Sequence, residues 1–96
     1  MNYVVNTVRV KAISFDDFLE YGRAETDCVG GMPWSFKYDG MPVSHENDDR
    51  YLINTPEATV DFYRGHMLIT EGLGEVMTIP CDVFSRLFTK CYVDKT

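Results

Sequence analysis

Short turns that contain glycine constrain the fold of this chain more than any other sequence feature. They are the dipeptide Asp39-Gly40, the dipeptide Arg64-Gly65 and the segment 72–74, and each lies between two short stretches rich in β-branched or aromatic residues. Strands joined by connections this short run antiparallel, because a parallel connection needs a dozen or more residues. The sequence therefore predicts an antiparallel sheet of short strands.

The peptide WSFKY shows the alternation expected of a strand with one buried face. Trp34, Phe36 and Tyr38 fall on one side of it, and Ser35 and Lys37 on the other. A further strand, rich in β-branched residues, is expected near residues 4–13.

Pro42 favours an edge position for its own strand, because proline cannot donate to a ladder. Such an exposed edge could pair with a second copy of the chain, so a homodimer is one possible assembly.

Two helices are expected at the ends of this strand-rich region. Ser14 can cap the first, with Asp17 three residues later, and Gly22 is expected to end it. Pro80 is expected in the first turn of the second. The predicted class is α+β, with a single antiparallel sheet, strongly twisted or curled into a half-barrel, of about five to six short strands, and two short helices near 15–22 and 80–90. Residues 1–96 are expected to form a single domain.

Charge and composition exclude several classes of function. The 96 residues carry 9 basic and 15 acidic side chains, a net charge of −6. An acidic surface repels nucleic acid, so direct nucleic-acid binding is not expected. Membrane insertion is not expected either, since the apolar runs are short and the first residues lack a signal-peptide pattern. Three cysteines without CxxC spacing favour a reducing, cytoplasmic setting.

The stretch SHENDDR, residues 44–50, concentrates the chemistry-bearing side chains. Its spacing matches neither the zinc-binding HExxH helix nor a calcium-binding EF-hand loop, so no metal or other cofactor is predicted. One interpretation is a charged turn in which Asn47 or Asp48 bonds to the backbone. A second is a binding loop on a rigid sheet. A third is a metal-dependent enzyme that uses His45, Glu46 and Asp48.

Two sets of candidate binding residues follow, and no catalytic set. An acidic surface for a basic protein partner would be formed by His45, Glu46, Asp48, Asp49, Asp16, Asp17 and Glu20. Alternatively, aromatic and basic side chains could form a pocket for a nucleotide or another small signal molecule, in which a base stacks on a ring and an arginine holds a phosphate. That pocket would be lined by Trp34, Tyr38, Arg50, Tyr51, Arg64 and His66.

The C-terminal third, EATVDFYRGHMLITEGLGEVMTIPCDVFSRLF, resembles small uncharacterised tailed-phage proteins of the PGDYG-like group. The hairpin at 68–75, the tripeptide Asp82-Val83-Phe84 and the later Phe88 carry the resemblance, whereas Arg64-Gly65-His66 departs from the group's Pro-Gly-Asp. No activity follows from this group. The resemblance implies an accessory protein that works in the cytoplasm of a bacterial host, where we expect it to inhibit or redirect a host protein involved in defence or takeover.

Overall fold

The computed structural model describes residues 2–5 and 8–90, with side chains from residue 9 to residue 88. It confirms the α+β class, with two helices and antiparallel strands over the described residues. The helices are α1 (Phe15–Glu25) and α2 (Cys81–Leu87). The strands are β1 (Asn2–Val5), β2 (Val8–Ser14), β3 (Cys28–Val29), β4 (Met32–Pro33), β5 (Ser35–Tyr38), β6 (Met41–Asn47), β7 (Arg50–Asn54), β8 (Thr59–Tyr63), β9 (His66–Glu71), β10 (Met77–Pro80) and β11 (Thr89–Lys90).

These strands form three sheets in the described part of the chain, so the expectation of one half-barrel sheet is wrong. A four-stranded meander has the order β5-β6-β7-β8, and a five-stranded sheet has the order β10-β9-β2-β1-β11. The strands β3 and β4 form a separate small hairpin. The single strand expected near residues 4–13 is also two strands, β1 and β2, which pair antiparallel.

The sheets separate because the chain leaves the meander at the Arg64-Gly65 dipeptide instead of forming a hairpin there. The backbone N–H of Arg64 donates to the carbonyl of Asp49, within the meander, at 2.9 Å. The next carbonyl, of Gly65, accepts from the N–H of Cys81 at 2.9 Å, at the start of α2. Strands β8 and β10 then lie side by side, where the hydroxyl of Thr78 donates to the carbonyl of Asp61 at 3.2 Å.

The sequence predicts that Pro42 lies on an edge strand, and this prediction is wrong. It lies on β6, which pairs with β5 on one side and β7 on the other. An interior strand tolerates this proline because the first β6–β7 pair is Val43 with Ile53, one residue further along. The exposed edge of the meander is therefore β5, which Pro42 does not occupy.

The main core lies between α1 and the inner face of the meander. Phe18 is fully buried, and its ring centroid lies 5.0–5.8 Å from the rings of Phe36, Tyr38, Tyr51 and Phe62. These contacts are mostly edge-to-face, the geometry that aromatic quadrupoles favour. The five-stranded sheet contributes Leu68 to the same cluster, so this core joins both large sheets.

A second core covers the opposite face of the five-stranded sheet. Phe84 and Phe88 stack with their ring centroids 4.7 Å apart, and they pack with Met67 and Ile69 of β9. Strand β9 is thus buried on both faces, which explains its continuous apolar run.

The helix bounds differ from the expected ones for identifiable reasons. Helix α1 continues through Gly22 to Glu25, because Gly22 is a packing residue and not a terminator. Its predicted cap is confirmed, since the N–H of Asp17 donates to the hydroxyl of Ser14 at 3.2 Å. Helix α2 stops early because Phe88 is extended and the following residues pair with β1.

Gly22 gives a prediction whose sign opposes ordinary helix propensity. Replacing an interior helical glycine with alanine usually stabilises by about 1 kcal/mol. Here a Cβ would lie 2.7 Å from the Phe36 ring and 2.8 Å from Pro33, both of which are buried. We expect Gly22→Ala to destabilise the protein by about 1–3 kcal/mol in urea unfolding, as overpacked cores do.

The matched control is Ala24→Gly, the inverse substitution at an exposed position of the same helix. It should cost about 1 kcal/mol through propensity alone. A gain in stability for Gly22→Ala would show that α1 is not packed this closely on β5.

Candidate functional site

The stretch 44–50 covers the end of β6, a two-residue turn at Asp48 and Asp49, and the first residue of β7, so the charged turn expected from the sequence is confirmed at its centre. The N–H of Asp49 donates to the side-chain oxygen of Asn47 at 2.9 Å, an Asx-type bond of the kind expected. The ladder also shifts register between His45 and Asn47. The turn is therefore an ordered part of the meander that projects its carboxylates from one end.

Arg64 connects this turn to the first turn of α1. Its Nε donates to the Oδ1 of Asp49 at 2.7 Å, and its Nη2 donates to the carbonyl of Asp48 at 2.7 Å. Its Nη1 lies 3.5 Å from the Oδ1 of Asp16. The guanidinium carbon is 5.0 Å from the centroid of the Phe15 ring. Asp16 of α1 and the acidic residues of the β6–β7 turn are far apart in sequence, yet they therefore lie on one face of the molecule.

We call Asp16, Asp17, Glu20, Asp48 and Asp49 the acidic face. The side chains of Asp16, Glu20, Asp48 and Asp49 are 69–86% exposed although each lies within reach of a basic group. Exposed pairs of this kind are weak, so the carboxylates can exchange or share their partners.

Glu20 lies four residues after Asp16 on α1, so the two side chains lie on the same side of the helix. The Nη1 of Arg23 lies 2.8 Å from the Oε2 of Glu20, and its Nε donates to the carbonyl of Gly31 at 3.1 Å. The turn of the β3–β4 hairpin is thereby tied to the exposed side of α1.

His45 packs against two aromatic rings beside the acidic face. Its Nε2 is 2.8 Å from the Oδ1 of Asp48. Its ring stacks on Trp34 at a centroid distance of 4.7 Å and an angle of 9°, and Tyr51 meets it edge-on at 5.3 Å. The sequence predicts Trp34 on the buried side of β5, whereas 47% of this residue is exposed.

Tyr51 holds His45 and the residue before Trp34 in place from the core. Its ring is fully buried, and its hydroxyl donates to the carbonyl of Pro33 at 2.5 Å. Burial first, and the charge of Asp48 second, raise the pKa of Tyr51 to about 12. The phenol is thus a neutral donor near pH 7, and it fixes the residue that precedes Trp34.

The residues predicted for a small-molecule pocket occupy three different places. Tyr38 and Tyr51 lie in the main core, whereas Trp34 and Arg64 lie at the acidic face. The other two, Arg50 and His66, both lie next to Tyr63.

Arg50 has its own acidic partners. Its Nη2 lies 2.7 Å from the Oδ1 of Asp61, and this hydrogen bond is the main reason that the pKa of Arg50 is raised. The charge of Glu46 contributes to the same shift, so Glu46 lies near Arg50. The Nδ1 of His66 is buried without a hydrogen-bond partner in the described part of the chain.

A cavity that the sequence did not suggest lies at the other end of the meander. It has a volume of about 610 Å³ and is lined by the turn residues Asp39 and Thr55, together with Met41, Thr70 and Val76. None of the six predicted pocket residues lines it. Asp39 is its one charged lining residue among the described residues, and its carboxylate lies 3.5 Å from the Nζ of Lys11.

The cross-strand register of β7 and β8 accounts for the position of Arg64. The β7–β8 ladder pairs Arg50 with Tyr63, so one more step places Asp49 opposite Arg64. A cross-strand pair of opposite charge is the usual reason for such a juxtaposition. The sequence predicts that Arg50 or Arg64 holds a phosphate, whereas Arg64 bonds to the β6–β7 turn.

The described residues contain no cluster of three or more histidine, cysteine or acidic side chains that could hold a metal ion. Neither described helix is long and apolar enough to cross a membrane. No protein-family model matches the chain, and comparison with curated proteins and with solved structures finds no significant similarity. The resemblance to PGDYG-like phage proteins stays a prediction.

Removing the guanidinium of Arg64 tests whether this residue holds the face together. We expect Arg64→Met, which keeps an unbranched apolar side chain but no guanidinium, to destabilise the protein by about 1 kcal/mol. Amide hydrogen exchange at Asp49 should accelerate, since the turn loses its bonds to the side chain.

Lys37→Met is the matched control, because Lys37 is exposed and has no ion pair within the described residues. It should change stability by less than about 0.5 kcal/mol. Equal effects of the two substitutions, with unchanged exchange at Asp49, would mean that Arg64 does not order the turn.

Proposed function

We propose that this protein acts by binding a basic surface of another protein through its acidic face. The observation that carries this proposal is the position of Arg64, which draws Asp16 and Asp49 together while their carboxylates stay largely exposed. The face has five carboxylates, of which three lie beside the guanidinium groups of Arg23 and Arg64, so it keeps an excess of negative charge.

The order of this face favours binding. Its turn is fixed by backbone and side-chain hydrogen bonds, and its helix is fixed by the main core. A surface that is already ordered loses little conformational entropy when a partner binds. Exposed charge of one sign also speeds association with a partner of opposite charge, and this effect falls as salt rises.

For the setting, we propose a phage accessory protein in the host bacterial cytoplasm that inhibits or redirects a host protein. The support is the resemblance of residues 57–88 to small tailed-phage proteins. The acidic composition fits a protein that engages a basic target and avoids nucleic acid.

Small-molecule binding is the alternative function, and the cavity beside Asp39 is the observation that favours it. Its charged lining residue is an acid, so none of the described residues that line it offers a positive charge to a phosphate-bearing nucleotide. A neutral or cationic molecule suits this lining better. Metal-dependent catalysis at His45, Glu46 and Asp48 has less support, because His45 is bound to Asp48 whereas Glu46 lies near Arg50.

Partner capture with isosteric variants tests the proposed function. The variant D17N/E20Q/D48N removes three charges from the acidic face but keeps acceptors for Arg23 and His45. The control E57Q/E71Q/E75Q removes three exposed acids elsewhere. We expect the wild type and the control to retain one stoichiometric partner from bacterial lysate at low salt.

We expect the face variant to lose that partner, and high salt to release it from the wild type. Equal capture by both variants, or capture that does not change with salt, would contradict binding through the acidic face. A lysate that yields no stoichiometric partner would also count against it.

A further inference from the structure

Trp34 is the exposed aromatic residue that borders the acidic face. One side of its indole is covered by the parallel ring of His45 at 4.7 Å. Since 47% of the residue is exposed, the other side of the indole is open to solvent. The edge contact of Tyr51 and the bond to Asp48 hold His45 beneath it, so the open surface has a fixed orientation.

Two acidic residues lie near this indole. Asp48 bonds to the stacked His45. Strands β3 and β4 pair Cys28 with Pro33, so the next residues along the two strands, Asp27 and Trp34, have neighbouring backbones. Asp27 is exposed and has no ion pair within the described residues.

A flat ring with acids around it suits a planar cation. A guanidinium stacks on an indole face and can also donate to a carboxylate in the same plane, which a compact ammonium does less well. Tryptophan and arginine are also the residue types most enriched among the few that dominate interface energies.

We infer that Trp34 is the anchor of the acidic face and receives an arginine side chain of the basic partner. This inference rests on the proposed function, since it names one contact made beside the same surface. It also explains why an aromatic residue with its own stacking support is left open to solvent instead of joining the core.

The chain's one tryptophan allows a direct measurement, because selectively excited tryptophan emission then reports on this position alone. The probes are an oligoarginine peptide and an oligolysine peptide of equal length, both fluorescently labelled for anisotropy. We expect oligoarginine to change the Trp34 emission saturably and to bind the wild type more tightly than oligolysine does.

Substitutions separate the anchor from general electrostatic attraction. Trp34→Leu should weaken oligoarginine binding about two- to fivefold, the range expected for one exposed cation–π contact. Trp34→Phe keeps an aromatic face and should retain most of the affinity, and it remains informative if the leucine variant folds poorly. The control Tyr63→Leu removes another exposed aromatic residue, which is 41% exposed, and should change nothing.

The outcomes distinguish the anchor from the function on which it rests. If Trp34→Leu binds like the wild type while D17N/E20Q/D48N binds more weakly, the acidic face is real and Trp34 is not its anchor. If oligolysine binds as tightly as oligoarginine, the assignment of arginine is wrong. If neither variant loses affinity relative to E57Q/E71Q/E75Q, the acidic face itself is not a binding surface.

Discussion

The burial of Phe15 and Phe18 against the four-stranded meander is the constraint on which the rest of this structure depends. Phe18 meets four aromatic rings of the meander, and this contact fixes where α1 lies. The guanidinium of Arg64 lies over the ring of Phe15. The orientation of α1 therefore decides that Asp16 faces solvent next to the β6–β7 turn.

Hydrophobic packing and electrostatics have separate roles in this fold. Leu68 of β9 joins the five-stranded sheet to the same core, so packing sets the arrangement of the two large sheets. The ion pairs are exposed and contribute little to stability. Their effect is on orientation, because Arg64 and Arg23 each tie a loop to the exposed side of α1.

Local features of this chain could be predicted from its sequence, and long-range ones could not. The cap at Ser14 and the Asx-type turn at Asn47 depend on neighbours within three residues, and both are confirmed. Gly22 was misassigned as a helix end, because only the fold shows that Phe36 leaves no room for a side chain there. The division into three sheets depends on where the Gly65 carbonyl bonds, which no local pattern encodes. Trp34 follows the alternation of a buried strand, yet it is exposed beside His45.

Amide chemical-shift mapping of the isotopically labelled protein with its captured partner tests the central claim most directly. The largest shifts should fall on Asp16, Asp48 and Asp49 and on the indole N–H of Trp34, and they should diminish as salt rises. Shifts centred instead on Lys37 and Ser44, on the outer face of the meander opposite α1, or shifts that do not change with salt, would contradict binding through the acidic face.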